Sequence, residues 1–256
     1  LLAVLPADHF IRNEPEFRKI LEAALAWSWE TDDIVTLGAP ADRPETGYGY
    51  LCEGDSIGTS GGYPVHRVAA FLEKPSPRTA KRRLAAGGCA WNSGIIVLSA
   101  ERVTNEMARR LPALHRGLLR IERSLGKRTE GKTLRETFPR LPAVSIDFGL
   151  MEAAAREGLV ASLPCRVGWS DIGDFRAIGD LLSGPSGKGA VAGEHIGVDS
   201  DNLIVYAPGK LVVTVGIKDL IVVDAGDALL ICPRSRAQDV RKVVEALKRK
   251  RLDKYL

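Results

Sequence analysis

The chain opens Leu1-Leu2-Ala3-Val4-Leu5-Pro6-Ala7-Asp8-His9, an apolar run with a buried-strand pattern that sets a carboxylate, Asp8, just beyond its C-terminal end. No initiator Met, lead-in or signal-peptide layout precedes it, so the sequence is expected to be the later part of a longer polypeptide. Asn13-Glu14-Pro15-Glu16 then starts a helix, with a capping residue, Pro in the first turn and acidic side chains near the positive end of the dipole. As far as about Trp29, that helix carries Phe17, Ile20, Leu21, Ala24, Leu25 and Ser28 on one face. Asp33–Ala39 reads as another short buried strand.

Beyond these elements, Arg43–Pro75 alternates strand-like runs with turn residues and ends in a strand at Val65–Glu73. Gly58-Thr59-Ser60-Gly61-Gly62 reads as a hairpin tip, because no helix and no Lys-Ser/Thr partner follows to make a phosphate cradle. A helix is expected from Ser76 to about Ala86 and a strand at Gly94–Ser99. Residues 100–158 read as several short helices broken at Pro112, Gly126 and Pro139, the last capped near Ser145 and stopped by Gly158. Leu159–Arg166 returns to strand and Asp174–Leu182 to helix. Strands alternating with helices predict an α/β fold, a mainly parallel or mixed sheet covered on both faces.

The texture changes after Leu182. Ser183–Gly189 is a turn-rich linker. Four β-branched runs, Leu203–Tyr206, Leu211–Val215, Leu220–Val223 and Leu229–Cys232, then arrive at short intervals and predict a small all-β unit with a rung-like rhythm. Residues 236–250 close as an amphipathic helix bearing Val240, Val243, Val244 and Leu247. The expected domains are therefore 1–182 and 183–256.

Composition narrows the function. With 256 residues, 45% apolar and 27% charged, the chain can bury a substantial core. A net charge of +4 is too small to argue for nucleic acid, and Lys248-Arg249-Lys250-Arg251 reads as a solvated helix terminus. No apolar stretch approaches the roughly 20 residues that cross a membrane. The four cysteines, Cys52, Cys89, Cys165 and Cys232, show no Cys-x-x-Cys pairing. They are read as free thiols in a reducing, cytoplasmic compartment, with Cys165 and Cys232 as small core residues.

Several segments carry chemistry. Asp8 at a strand end can hold a divalent cation or cap a turn. Asp171, in Gly168-Trp169-Ser170-Asp171-Ile172-Gly173, also follows a strand. It can cap the next helix or meet Asp8 on one Mg²⁺. In Pro44-Glu45-Thr46-Gly47-Tyr48-Gly49-Tyr50 the glycines permit close backbone approach and Glu45 can accept from hydroxyls; a twisted aromatic strand is the competing reading. Phe71-Leu72-Glu73-Lys74-Pro75 offers a compact cation for phosphate beside a carboxylate for sugar hydroxyls, or else a surface ion pair. Trp91-Asn92-Ser93-Gly94 offers Asn92 as donor and acceptor, with Trp91 expected in the core. The four histidines form no ligand cluster, and His9 is expected to make a structural hydrogen bond. A reaction without a protein nucleophile, such as phosphoryl or nucleotidyl transfer, fits this inventory.

Taken in order, Leu5–His9, Glu45–Tyr50, Phe71–Pro75, Trp91–Gly94, Ser145-Ile146-Asp147 with Met151-Glu152, and Trp169–Gly173 resemble the bacterial mannose-1-phosphate guanylyltransferases. The resemblance continues through Leu211–Gly216 and Arg236–Val240. It implies a nucleotide-diphospho-sugar transferase fold, a Rossmann-like mixed sheet, with a small C-terminal β-helix-like unit. It also implies the reaction of GTP with mannose 1-phosphate to GDP-mannose and pyrophosphate. By position, Asp8 and Asp171 would ligate Mg²⁺, Gly47, Glu73 and Asn92 with Glu45 would hold the sugar, and Lys74 would meet its phosphate. Phe175 stands where the family usually has Trp, and Ile96 where Phe is common. The family's Gly-rich Arg loop, with its guanine pocket and triphosphate cradle, is not in this sequence, so these residues alone are expected not to turn over GTP. The sequence to Leu256 carries no isomerase domain, so the family's short form is expected. A pyrophosphorylase for another hexose 1-phosphate, and a non-catalytic sugar-nucleotide-binding paralogue, are the alternatives. A homodimer is the expected assembly.

Overall fold

The computed structural model describes residues 1–183 and 189–255, which divide into two compact units, Leu1–Trp169 and Ser170–Leu256. In chain order the first contains β1 (Leu2–Val4), β2 (Phe10–Ile11), α1 (Glu14–Thr31), β3 (Ile34–Pro40), β4 (Tyr50–Ser60), β5 (Tyr63–Leu72), α2 (Pro77–Ala86) and β6 (Cys89–Leu98). There follow α3 (Ala100–Arg110), α4 (Pro112–Glu122), α5 (Glu130–Thr137), a π turn at Asp147–Met151, α6 (Glu152–Arg156) and β7 (Val160–Pro164). The two-residue β8 (Trp169–Ser170) stands at the division between the units.

The helices start where the sequence places their caps. Asn13 accepts from the Glu16 N–H, Ser76 from Thr79 and Ser99 from Arg102. Six strands form a mixed sheet in the order β1-β6-β3-β7-β5-β4, with β3 and β7 parallel and the other registered pairs antiparallel. Strand periodicity serves both faces. Val35, Leu37, Ile95, Val97, Ala161 and Leu163 pack against Phe17, Ile20 and Ala24 of α1. Their neighbours Ile34, Ile96, Leu98 and Val160 point to the other side, against Leu150, Met151, Ala154 and Ala155. Each large aliphatic buried in this way contributes about 1.5–3 kcal/mol.

Two expectations change here. The opening apolar run is not buried: among the described residues β1 is an edge strand paired with β6 alone, and Leu2 and Val4 remain 44% and 47% exposed. Nor are all four cysteines free. The β4–β6 register sets Cys52 directly opposite Cys89, and the two form a disulfide, leaving Cys165 and Cys232 as thiols. Sequence spacing could not show this pairing, which depends on strand order. The thiol count therefore no longer argues for a reducing compartment. Cys165 is fully buried, and burial pushes its thiol up to about 12. Among the described residues, no helix is long and apolar enough to cross a membrane.

The second unit contains α7 (Phe175–Leu182), β9 (Ala190–Val198), β10 (Ile204–Val215), β11 (Leu220–Asp224), β12 (Leu229–Pro233), a 3₁₀ turn at Arg234–Asp239 and α8 (Val240–Arg249). The first and second expected runs are one long strand, β10, and β9 is an additional strand. Most of the expected Ser183–Gly189 linker, residues 184–188, lies outside the described residues. β9, β10 and β11 run parallel although short loops join them. Such neighbours need long strands that turn a corner and coil back. The corner falls at Gly193, φ 123°, where a Cβ would lie 2.5 Å from the Ala207 carbonyl oxygen, and at the register shift between Ala207 and Leu211. Leu203, Val205, Ala207 and Val222 fill the inside of the coil with Val212, Ile217 and Leu220. Phe175 packs in a second cluster with Ile204, Ile221 and Val223.

Candidate active site

Asn92 sits where β6 departs from regular pairing with β3. The register passes from Thr36↔Ile96 to Gly38↔Asn92, so β6 spends extra residues at Ser93 and Gly94, and Gly94 takes φ 72°. A bulge of this kind re-aims a side chain. The Asn92 Oδ1 accepts from the Thr36 hydroxyl at 3.0 Å and from the Gly94 N–H at 3.2 Å. Its Nδ2 donates to the Asp147 Oδ1 at 3.2 Å. These partners assign both ends of the amide and lock its orientation.

Glu73 and Lys74 follow directly on β5. The Glu73 side chain is 8% exposed, and its Oε1 lies 3.6 Å from the Nζ of Lys74, whose own side chain is 58% exposed. The strand-end ion pair, one of the two sequence readings, is present, but it joins a buried carboxylate to an open ammonium. Lys74 adopts φ 43°, the left-handed region, immediately before Pro75. A non-glycine residue held there costs about 1–3 kcal/mol and persists only where its surroundings enforce it. The Glu73 N–H, the first beyond the last β4–β5 pair at Leu72, donates to the Glu152 Oε1 at 3.3 Å.

Asp147 and Glu152 belong to the motifs that carry the resemblance, which by itself implies no role for them. Burial is the main cause that raises the Asp147 carboxyl above its ordinary range, with Lys74 and the Asn92 amide opposing. Glu73 is raised too, first by burial and then by the Asp147 charge, again opposed by Lys74. Three carboxylates thus gather around one ammonium and one fixed amide.

The neighbouring loop explains the two glycines. A Cβ on Gly49 would lie 2.6 Å from the Glu73 Oε2 and 3.2 Å from the Asn92 Cβ, and the Gly49 carbonyl accepts from the Asn92 N–H at 2.8 Å. Gly49 is the close approach to the carboxylate. Gly47 instead donates its N–H to the Glu45 Oε1 at 3.2 Å, and Thr46 donates to the same oxygen at 2.9 Å. The Glu45 Oε2 lies 3.5 Å from the Arg43 Nε, so this carboxylate organises its own loop. Arg43 lies over the Trp91 ring at 4.9 Å, and Trp91, 5% exposed as expected of a core residue, meets Tyr48 edge-to-face at 5.2 Å. Trp169 donates its indole N–H to the His9 Nδ1 at 3.1 Å, the structural bond anticipated for His9, and meets Tyr48 at 5.4 Å.

Asp8 is exposed in the turn that follows β1. Asp171 belongs to the second unit, where its Oδ1 accepts from the Gly173 N–H at 3.1 Å. The helix-capping alternative for it is resolved, because Asp174 is the N-cap of α7 and bonds the Ala177 N–H at 2.8 Å. Between Asp171 and Gly173, Ile172 takes φ 50°, an uncommon state for a β-branched residue and one that concentrates at functional loops. Among the described residues no group of three or more His, Cys, Asp or Glu could hold a metal ion. Mg²⁺ characteristically combines one or two carboxylates with phosphate oxygens and water, and Asp8 and Asp171 are donors of that type.

The family model described as nucleotidyl transferase matches residues 1–183, and that of the MannoseP isomerase/GMP-like beta-helix domain matches residues 193–247. Alginate biosynthesis protein AlgA of Pseudomonas aeruginosa is 36% identical over 248 residues, covering 96% of this chain and 50% of that protein. Mannose-1-phosphate guanylyltransferase ManC of Salmonella typhimurium is 36% identical over 249 residues, covering 97% of this chain and 51% of that protein. The chain thus spans about half the length of the curated relatives it matches. The crystal structure of mannose-1-phosphate geranyltransferase from Thermus thermophilus superposes with a TM-score of 0.78 at 33% identity, covering 96% of this chain and 69% of that one.

Proposed function

The chain belongs to the nucleotidyl transferase family, and from that premise we propose that it carries the sugar-phosphate part of a mannose-1-phosphate guanylyltransferase. The reaction is attack by a phosphate oxygen of mannose 1-phosphate on the α-phosphorus of GTP, forming GDP-mannose and releasing pyrophosphate. The observation that carries the reading is the gathering of Glu73, Lys74, Asn92 and Asp147 at one end of the sheet. Lys74 presents a point charge to the sugar phosphate. Glu73 and Asp147 accept hydrogen bonds from hydroxyls, and a ligand that supplies donors relieves their burial. Asn92, already oriented, donates without reorganising, which is how a positioned group lowers a barrier. Gly49 keeps space for the Glu73 carboxylate. Asp8 in the first unit and Asp171 in the second are each carboxylates that could ligate Mg²⁺, which when bound offsets phosphate charge.

Calorimetric titration with mannose 1-phosphate and glucose 1-phosphate tests the reading. Preference for the mannose compound, weakened about tenfold or more by Lys74→Ala, supports it. Preference for the glucose compound points to another hexose 1-phosphate, and no heat with either removes the pocket assignment. Turnover is read as pyrophosphate release in a chain extended at its N-terminus, where this reading places it. Sedimentation tests the homodimer that goes with it.

A further inference from the structure

We infer that Glu152 is a positioning residue, which the π turn before α6 brings onto the end of β5 to hold Glu73 and Lys74 in their binding arrangement. The inference rests on the sugar-phosphate reading above and adds to it a residue that does not touch the ligand.

Its basis is the turn itself. The Glu152 N–H donates to the Asp147 carbonyl, an i→i+5 bond, in a π turn spanning Asp147–Met151. In an α-helix, residues five apart diverge by about 140° around the axis. The wider π turn brings them closer to the same side, and such turns are rare and concentrate at functional sites. Here it lets one short segment serve two purposes. Asp147 reaches the Asn92 amide, while Glu152 reaches the Glu73 N–H at 3.3 Å. Leu150 and Met151, within the same turn, are fully buried and anchor it against the sheet.

The bond that Glu152 makes falls where it matters. Beyond Leu72 the β5 ladder has ended, so Glu73 has no strand partner at its N–H. The next residue, Lys74, enters the left-handed region ahead of a proline. A chain leaving a strand into such a conformation needs a fixed point just before it. The Glu152 side-chain oxygen supplies one, 3.3 Å from that N–H. Its charge also acts on the neighbouring carboxylates Glu73 and Asp147, with Lys74 opposing.

Two near-isosteric variants separate contact from charge. Glu152→Gln keeps an oxygen at the same reach and loses the charge. Glu152→Asp keeps the charge and withdraws the oxygen by one methylene. Hydrogen exchange at the Glu73 amide, measured by NMR on the unliganded chain, judges the contact without any ligand. Mannose 1-phosphate affinity, measured by calorimetry, judges its consequence. The expected result is faster Glu73 exchange and about tenfold weaker binding in Glu152→Asp, with Glu152→Gln close to the parent in both. Unchanged Glu73 exchange in Glu152→Asp overturns the inference. So does a Glu152→Gln variant that loses affinity while Glu152→Asp retains it, since charge rather than contact would then be responsible. A parent chain that binds no mannose 1-phosphate refutes the substrate reading instead, and the two failures are thereby distinguished.

Discussion

Replacing Gly49 by Ala probes the pocket with one methyl group. The added Cβ would lie 2.6 Å from the Glu73 Oε2, whereas ordinary contact begins near 3.4 Å, so the carboxylate must retreat by about 0.8 Å. The second neighbour, the Asn92 Cβ at 3.2 Å, has to give by only a few tenths of an ångström. Glu73 meets the methyl with the end of a flexible side chain, so stability should hardly change. The small overpacking term is opposed by the about 0.4–1 kcal/mol that Gly→Ala gains by restricting the unfolded chain. Binding should respond more strongly. A hydroxyl bonded to Glu73 at about 2.8 Å would be left at about 3.6 Å, beyond a hydrogen bond. Losing a bond to a charged group costs about 1.5–3 kcal/mol, or roughly 10- to 150-fold in affinity. Calorimetry with mannose 1-phosphate reads the affinity, and thermal melting reads the fold. Affinity within about twofold of the parent at an unchanged melting temperature would refute the placement of Glu73 against the sugar.

Three further outcomes are expected. Glu73 and Asp147 have carboxyls raised above their ordinary range, so their contribution to stability is fully present in acid and is lost as pH rises through the raised values. Glu73→Gln and Asp147→Asn should therefore melt higher than the parent near neutral pH, with the gain shrinking toward about pH 4, where unperturbed carboxylates protonate; a gain that grows on acidification would contradict the burial argument. The Cys52–Cys89 bond spans 37 residues, so reduction should lower stability by about 2–4 kcal/mol in urea unfolding. Thiol titration of the denatured chain should find two reactive groups before reduction and four after it. Asp171→Asn, in an N-terminally extended chain, should keep mannose 1-phosphate binding and lose turnover by about a hundredfold or more, and unchanged pyrophosphate release would remove Asp171 from the chemistry.

Much of the architecture is legible from near neighbours along the chain. Asn13, Ser76 and Ser99 cap helices because their side chains reach N–H groups three residues on, an interaction that needs no other part of the fold. The paired glycines Gly61 and Gly62 close the β4–β5 hairpin through their positive φ. Short continuous apolar runs in β3, β6 and β7 predict strands buried on both faces. Glu73, Lys74 and Asn92 stand out because charged or amide groups at strand ends are unusual enough to be noticed singly.

What the sequence by itself determined, then, is which segments become helices and strands and which side chains are chemically able to meet a phosphorylated sugar, since both follow from local stereochemistry and functional-group type. Only the tertiary structure decided that Leu2 and Val4 lie at an edge and that Cys52 faces Cys89. It alone decided that Gly49 closes on Glu73, and that a π turn brings Asp147 and Glu152 to the same strand end. Those outcomes depend on strand order, register and the pitch of one helical turn, which residues far apart in the chain set together through packing and which no single segment encodes.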